Sequence, residues 1–273
     1  MGAGIHANSR RTKTPINVPS LSVILITRNE AANIRECLRS VEWADEIIVV
    51  DSGSTDDTVD LAREMGARVY QHDWPGFGPQ KTRALGYATK EWVFSIDADE
   101  RVTPELRAEI EHAMLKGEAD GYSCPRLSQF CGTFIRHGGW YPDYVLRLFK
   151  RDAGRFSDSL VHEKVQINGS SAKLGKPLLH YSYLNTEDVE RKVEHYSTAA
   201  AQQMYQAGKR SSLVGAALSA GWAFVRTYVV RLGVLDGVAG WQIAGMNART
   251  TWLKYRKLAA LHAGKGGVSQ VGL

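Results

Sequence analysis

The sequence predicts an α/β protein, a mainly parallel sheet flanked by helices and followed by a helical, amphipathic extension. Three observations carry this. From Leu21 onward, short apolar runs alternate with segments whose apolar residues recur every three or four positions, and the connectors between them are short. After Gly117 that rhythm gives way to short β-prone pieces rich in Gly and aromatic residues. From Thr186 the chain turns helical again, with basic and aromatic residues mixed into apolar stretches.

Each element has a local reason. Residues 21–26 form an apolar run too short for a buried helix and read as a central strand. Asn29 is placed to cap the next helix, in which Ile34, Cys37, Leu38 and Val41 share one face. Residues 46–50 give a second strand. Ser54 to Asp57 supply caps and first-turn acids for a helix with Val59, Leu61, Ala62 and Met65 on its face, and Gly66 ends it. Residues 67–70 follow as a strand, 80–88 as a helix and 91–96 as a fourth strand, after which Thr103 and Pro104 open another helix. Short crossovers of this kind make neighbouring strands parallel, and ligands collect at their carboxyl ends. The expected layout is a tail over 1–19, a catalytic domain over 20–184 split near 117, a helical region over 185–262 and a tail over 263–273.

Composition narrows the function classes. With 273 residues, 44% of them apolar, the chain can bury a large core, which excludes disordered and fibrous proteins. Cys37, Cys124 and Cys131 contain no C-x-x-C pair, so reduced thiols are expected rather than a disulfide framework or a zinc site. Arg10, Arg11 and Lys13 lack the apolar run that follows the basic region of a signal peptide, so export is not expected. A net charge of +5 favours anionic partners. Nucleic acid is not expected among them, because the basic residues are dispersed and form no recognition motif. Residues 213–235 mix Trp222, Phe224, Tyr228, Val229 and Val230 with Arg226 and Arg231 and contain no 18-residue uncharged apolar stretch. They read either as core packing or as a surface lying on a bilayer rather than crossing it. Arg249, Lys254, Arg256 and Lys257 favour the bilayer.

Chemistry gathers at the strand ends. The first strand runs into Thr27-Arg28-Asn29-Glu30, the second into Asp51 and the loop to Asp56, and the fourth into Asp97-Ala98-Asp99-Glu100. Alternation along an extended segment puts Asp97 and Asp99 on one side, where they can share a divalent cation. An isolated Asp-x-Asp is more often a solvated, helix-capping turn, and the strand before it together with the other two motifs reverses that preference. His180 is a possible third metal ligand or a hydrogen-bonded core histidine. Lys81 and Arg83, behind the Gly-rich segment 76–79, can reach the phosphates of a ligand held there.

With these motifs in order, the sequence resembles glycosyltransferase family 2 over about residues 21–183. The resemblance implies a GT-A fold, with Thr27, Asn29, Glu30 and Asp51 holding the nucleoside and Asp51 reading a uracil base. It implies that Asp97 and Asp99 face the diphosphate and a Mg2+ or Mn2+ ion, which neutralises charge left on the diphosphate when the anomeric bond breaks. Residues 147–151, 154–156 and 161–163 parallel the stretch of relatives that ends in an acidic base, which makes Glu163 the candidate base and Asp143 the reserve. A single displacement inverts the anomeric centre. Gly139-Trp-Tyr-Pro-Asp143 and Leu235-Asp-Gly237 resemble a narrower branch, the bacterial lipopolysaccharide inner-core β-1,4-glucosyltransferases. That branch implies UDP-glucose as donor, a glycolipid acceptor and a peripheral position on the cytoplasmic face of the inner membrane. The alternatives are transfer to a polyprenyl phosphate or another envelope glycan, and a nucleotide-sugar-binding module without catalysis.

Overall fold

The computed structural model describes residues 19–157, 164–183 and 185–264. Strand β1 (Leu21–Thr27) is apolar almost throughout because both of its faces are covered. Val23 and Leu25 pack with Leu38, Phe94 and Leu106, while Ile24 packs on the other side with Ile48, Val93 and Phe149. Helix α1 (Ala31–Ser40) buries Ile34, Cys37 and Leu38, as its periodicity predicts. Asn29 does not cap it. That residue has a φ of 56° and its Oδ1 accepts from Thr55 N at 2.8 Å, so its side chain reaches across to the next loop.

The parallel half then runs β2 (Glu46–Asp51), α2 (Thr58–Glu64), β3 (Arg68–Gln71), α3 (Phe77–Tyr87) and β4 (Trp92–Ser95). Strands β3, β2, β1 and β4 lie side by side and parallel. A short strand that periodicity did not announce, β5 (Glu100–Val102), precedes α4 (Pro104–Lys116). Thr103 caps α4 through its hydroxyl on Leu106 N, and Gly117 ends it with a left-handed φ of 58°.

The second half holds β6 (Gly121–Phe130), β7 (Thr133–Phe134), β8 (Asp143–Lys150), β9 (Gly154–Phe156), β10 (Val165–Ile167), β11 (Ser171–Lys173) and β12 (Leu178–Tyr183). Strand β8 is antiparallel to both β4 and β6, which extends the parallel half into one mixed sheet of order β3-β2-β1-β4-β8-β6-β12-β5. This is the GT-A arrangement. The return of β12 between β6 and β5 places His180 beside Ser128 and Glu100 in register.

The extension is helical, as expected. Helix α5 (Thr186–Gln206) is capped by Asn185, whose Oδ1 accepts from Asp188 N at 2.8 Å. Its buried stripe is Val193, Ser197 and Ala201, and Tyr196 is exposed. Helix α6 (Leu213–Val225) continues through a π turn (Arg226–Val230), and a 3-10 turn (Gly233–Asp236) leads into α7 (Gly237–His262). Residues Leu213–Val230 form one helical stretch of 18 residues with mean hydropathy 1.4, interrupted by the charge of Arg226 and by length and composition enough to cross a membrane. The stretch is packed inside out. Ala216, Ala223 and Thr227 are buried, whereas Leu218, Trp222, Val225 and Val229 are exposed.

Candidate active site

Strands β2, β1 and β4 are parallel neighbours, so the loops after Thr27, Asp51 and Ser95 open at one edge of the sheet. Two adjacent residues of α3 tie these loops together. Gln80 Nε2 donates to Ser52 Oγ at 2.9 Å, and Lys81 Nζ lies 3.0 Å from Asp97 Oδ1. The acidic clusters after β2 and β4 therefore share one rim.

On the β1–β2 side, Asp51 is fully buried. Its Oδ1 accepts from Gly53 N at 3.0 Å and Ser54 N at 2.9 Å, and its Oδ2 accepts from the hydroxyls of Thr27, at 3.2 Å, and Ser54. Four donors use the full acceptor capacity of a carboxylate. Asn29 N donates to Ser54 Oγ at 2.8 Å and Glu30 N to Thr58 Oγ1 at 2.7 Å, so the first loop is stitched onto the second. Asp56 accepts from Thr58 N and from Ala31 N at 3.1 Å each, serving both helix starts. Burial raises the pKa of Glu30, the hydrogen bond from Asn33 opposes this, and the nearby charge of Asp99 adds to it.

On the β4 side the expected alternation does not hold. The strand ends at Ser95, and Asp97 and Asp99 stand on a turn that aims them apart. Asp97 is held between Lys81 and Arg147, whose Nη2 also contacts Glu100 Oε1 at 2.6 Å. Burial opposes ionisation of Asp97, yet Arg147 and Lys81 outweigh it and hold its carboxyl far below the usual range. Glu100 is fully buried; burial pushes its pKa up and Arg147 counters. Burial also disfavours the charge of Arg147, but Asp97 and Glu100 reverse this and keep it protonated. Arg126 stands 3.8 Å from Glu100 and grips Asp143 with Nη2 at 2.7 Å and Nε at 3.0 Å.

Asp99 goes instead to His180, whose Nε2 lies 3.2 Å from Asp99 Oδ2. Ser128 Oγ sits 2.9 Å from His180 Nδ1, so the other ring nitrogen is oriented by a neighbour, as metal-binding histidines are. Tyr181 N donates to Asp99 O at 2.8 Å and pins the turn to β12. Among the described residues no group of three His, Cys, Asp or Glu side chains is set to hold an ion. One carboxylate and one imidazole are donors of the kind that would hold a divalent cation there.

Thr27, Asn29, Glu30, Asp51, Lys81, Asp97, Asp99 and His180 are thus brought to one rim. Arg83 is not, being turned to Asp73 at 2.9 Å. Glu163 lies outside the described residues. Sequence reading gives no role to Glu100, and it takes Arg147 only as the start of the 147–151 stretch and as one of several arginines able to bind a diphosphate. The signal for Arg147 was a lone cation inside the apolar run 145–149.

Known proteins resemble the chain over most of its length. The model of "Glycosyl transferase family 2" matches residues 22–167. The lipopolysaccharide core biosynthesis glycosyltransferase LpsC of Rhizobium meliloti is 32% identical over 258 residues, covering 89% of this chain and 93% of that protein. An uncharacterized glycosyltransferase of Rickettsia typhi is 30% identical, covering 88% of this chain and 87% of its own length. Among solved structures, TarS of S. aureus is similar over 90% of this chain and 92% of its own, at 17% identity and a TM-score of 0.46. The chain is a glycosyltransferase and belongs to glycosyltransferase family 2.

Proposed function

We propose that the protein transfers a hexose, glucose first among candidates, from a UDP-sugar to an inner-core heptose of lipopolysaccharide or a similar envelope glycolipid, with inversion. The observation that carries this is the Asp99–His180 pair at 3.2 Å on the rim that also holds the Lys81–Asp97–Arg147 cluster and Asp51. When bound by Asp99 and His180, Mg2+ or Mn2+ supplies Lewis-acid neutralisation of the departing diphosphate.

The remaining work falls to the chain. Asp97 keeps Lys81 and Arg147 aimed at the rim, where both cations draw in the diphosphate. Thr27, Asn29 and Glu30 shape the nucleoside side. Asp51 reads the base by exchanging the rotatable Ser54 hydroxyl for the imide N–H of uracil. Glu163 removes the proton from the acceptor hydroxyl as it attacks. Asp143, the reserve, is engaged by Arg126. One displacement converts an α-linked donor into a β-linked product.

The acceptor class follows LpsC, whose name places it in lipopolysaccharide core synthesis. The exposed apolar face of the extension favours an acceptor carried in a bilayer. Over residues 207–264 there are eight Lys or Arg and a single acid, Asp236, a charge that suits an anionic membrane surface.

The test is a panel of UDP- and GDP-sugars with Mn2+, offered heptose-bearing lipopolysaccharide core or polyprenyl phosphate in vesicles. Release of UDP that requires the metal and the core acceptor, and is lost in Asp99→Asn, is the expected result. Turnover only on polyprenyl phosphate selects the alternative acceptor, and metal-independent turnover unchanged in Asp99→Asn removes the metal assignment.

A further inference from the structure

The only acidic residue of segment 207–264 sits in the turn between two helices whose outer faces are apolar. The Asp236 side chain is 7% exposed, and a buried carboxylate is retained only where donors satisfy it. Its donors all come from one distant loop. Asp236 accepts from Arg136 N at 3.3 Å and His137 N at 2.8 Å, and His137 Nδ1 lies 3.0 Å from Oδ1. The same turn holds the next two residues of that loop. Gly138 N donates to Arg231 O at 2.8 Å, and the Arg231 side chain lies so close over Gly139 that a Cβ there would meet Nη1 at 2.4 Å.

The loop so held, 135–142, begins and ends at the active site. At its start Ile135 N donates to Ser128 O at 3.0 Å, and Ser128 is the residue that orients His180. At its end it delivers Asp143 to Arg126 beside Glu100. None of the hydrogen bonds named here involves Thr27, Glu30 or Asp51, the donor-side residues.

We propose that Asp236 is a positioning residue for the acceptor: it fastens loop 135–142 to the apolar turn, so that the acceptor-facing wall of the site is mounted on the part of the protein that meets the membrane. This rests on the transferase reading above. Its mechanism is mechanical, two backbone amides and one imidazole converging on one carboxylate, and it involves no proton transfer in the reaction.

The test uses the full chain with UDP-glucose, Mn2+ and heptose-bearing lipopolysaccharide core in vesicles of phosphatidylethanolamine and phosphatidylglycerol. Asp236→Asn, which turns one acceptor oxygen into a donor, is expected to raise KM for the core acceptor about tenfold or more while KM for UDP-glucose and vesicle binding stay as in wild type. Gly139→Val, which displaces Arg231 from the other side of the loop, is expected to give the same pattern. In both variants the amides of residues 136–138 should exchange with solvent faster, a readout independent of turnover. Faster exchange with an unchanged acceptor KM overturns the proposal, as does a parallel rise in the KM for UDP-glucose. A wild type that turns over no donor defeats the transferase reading, and this proposal falls with it.

Discussion

At the scale of single residues, the site is a set of charges held in place before any ligand arrives. Arg147 contacts both Asp97 and Glu100, and removing it by Arg147→Ala strips the fully buried carboxylate of Glu100 and the partly exposed one of Asp97 of their shared cation. A loss of about 3–5 kcal/mol is expected, measurable as a lower denaturant midpoint. Glu30 works in the opposite sense. Its folded pKa lies above 4.5, so ionised Glu30 costs stability at neutral pH, and that cost disappears as the pH falls below its folded pKa. Glu30→Gln is therefore expected to melt higher than wild type at pH 7, with the gap closing in acid, while its KM for the nucleotide sugar rises. The thiols differ as well. Burial pushes Cys124 up to about 12 and Cys37 higher still, so iodoacetamide on the folded protein should label Cys131 alone of the three. Thr27, Glu30 and Asp51 were legible in the sequence because strand ends announce themselves. The partners of Asp97 were not, since Arg147 comes from a strand fifty residues away and no local pattern encodes that approach.

At the scale of elements, periodicity was a good guide wherever a helix packs on the sheet, and it left two readings open where the packing is inverted. A stripe of Leu, Trp and Val at helical spacing on α6 fits a core face as well as a surface lying on a bilayer, and these are the exposed residues. The seam with α7 is instead built from alanine and glycine. A Cβ on Gly240 would lie 1.8 Å from Gly233 O, a backbone atom that cannot swing aside. Gly240→Ala is accordingly expected to destabilise the fold by roughly 1–3 kcal/mol or more, read from thermal melting. Trp222→Glu, on the exposed side, should stay within about 0.5 kcal/mol of wild type in stability and yet lose binding to anionic vesicles in a sedimentation assay. An unchanged partition would count against the membrane reading of this face.

At the scale of the whole molecule, the parallel half could be anticipated strand by strand because each crossover is local. The second half could not. Its strands pair across long separations, and nothing in the run 178–183 says that it will slot between β6 and β5. If the extension meets an anionic bilayer as proposed, its cations would act together, and vesicle binding should weaken steeply as salt rises from low to physiological strength, where the Debye length is about 8 Å. The late return of β12 also has a consequence for synthesis. Asp99 emerges from the ribosome long before His180, so a nascent chain can complete its parallel layer and α4 while Asp99 still lacks its imidazole partner. The Asp99–His180 contact forms only when the last strand of the sheet has been translated and inserted, and chain fragments ending before Leu178 have no route to it.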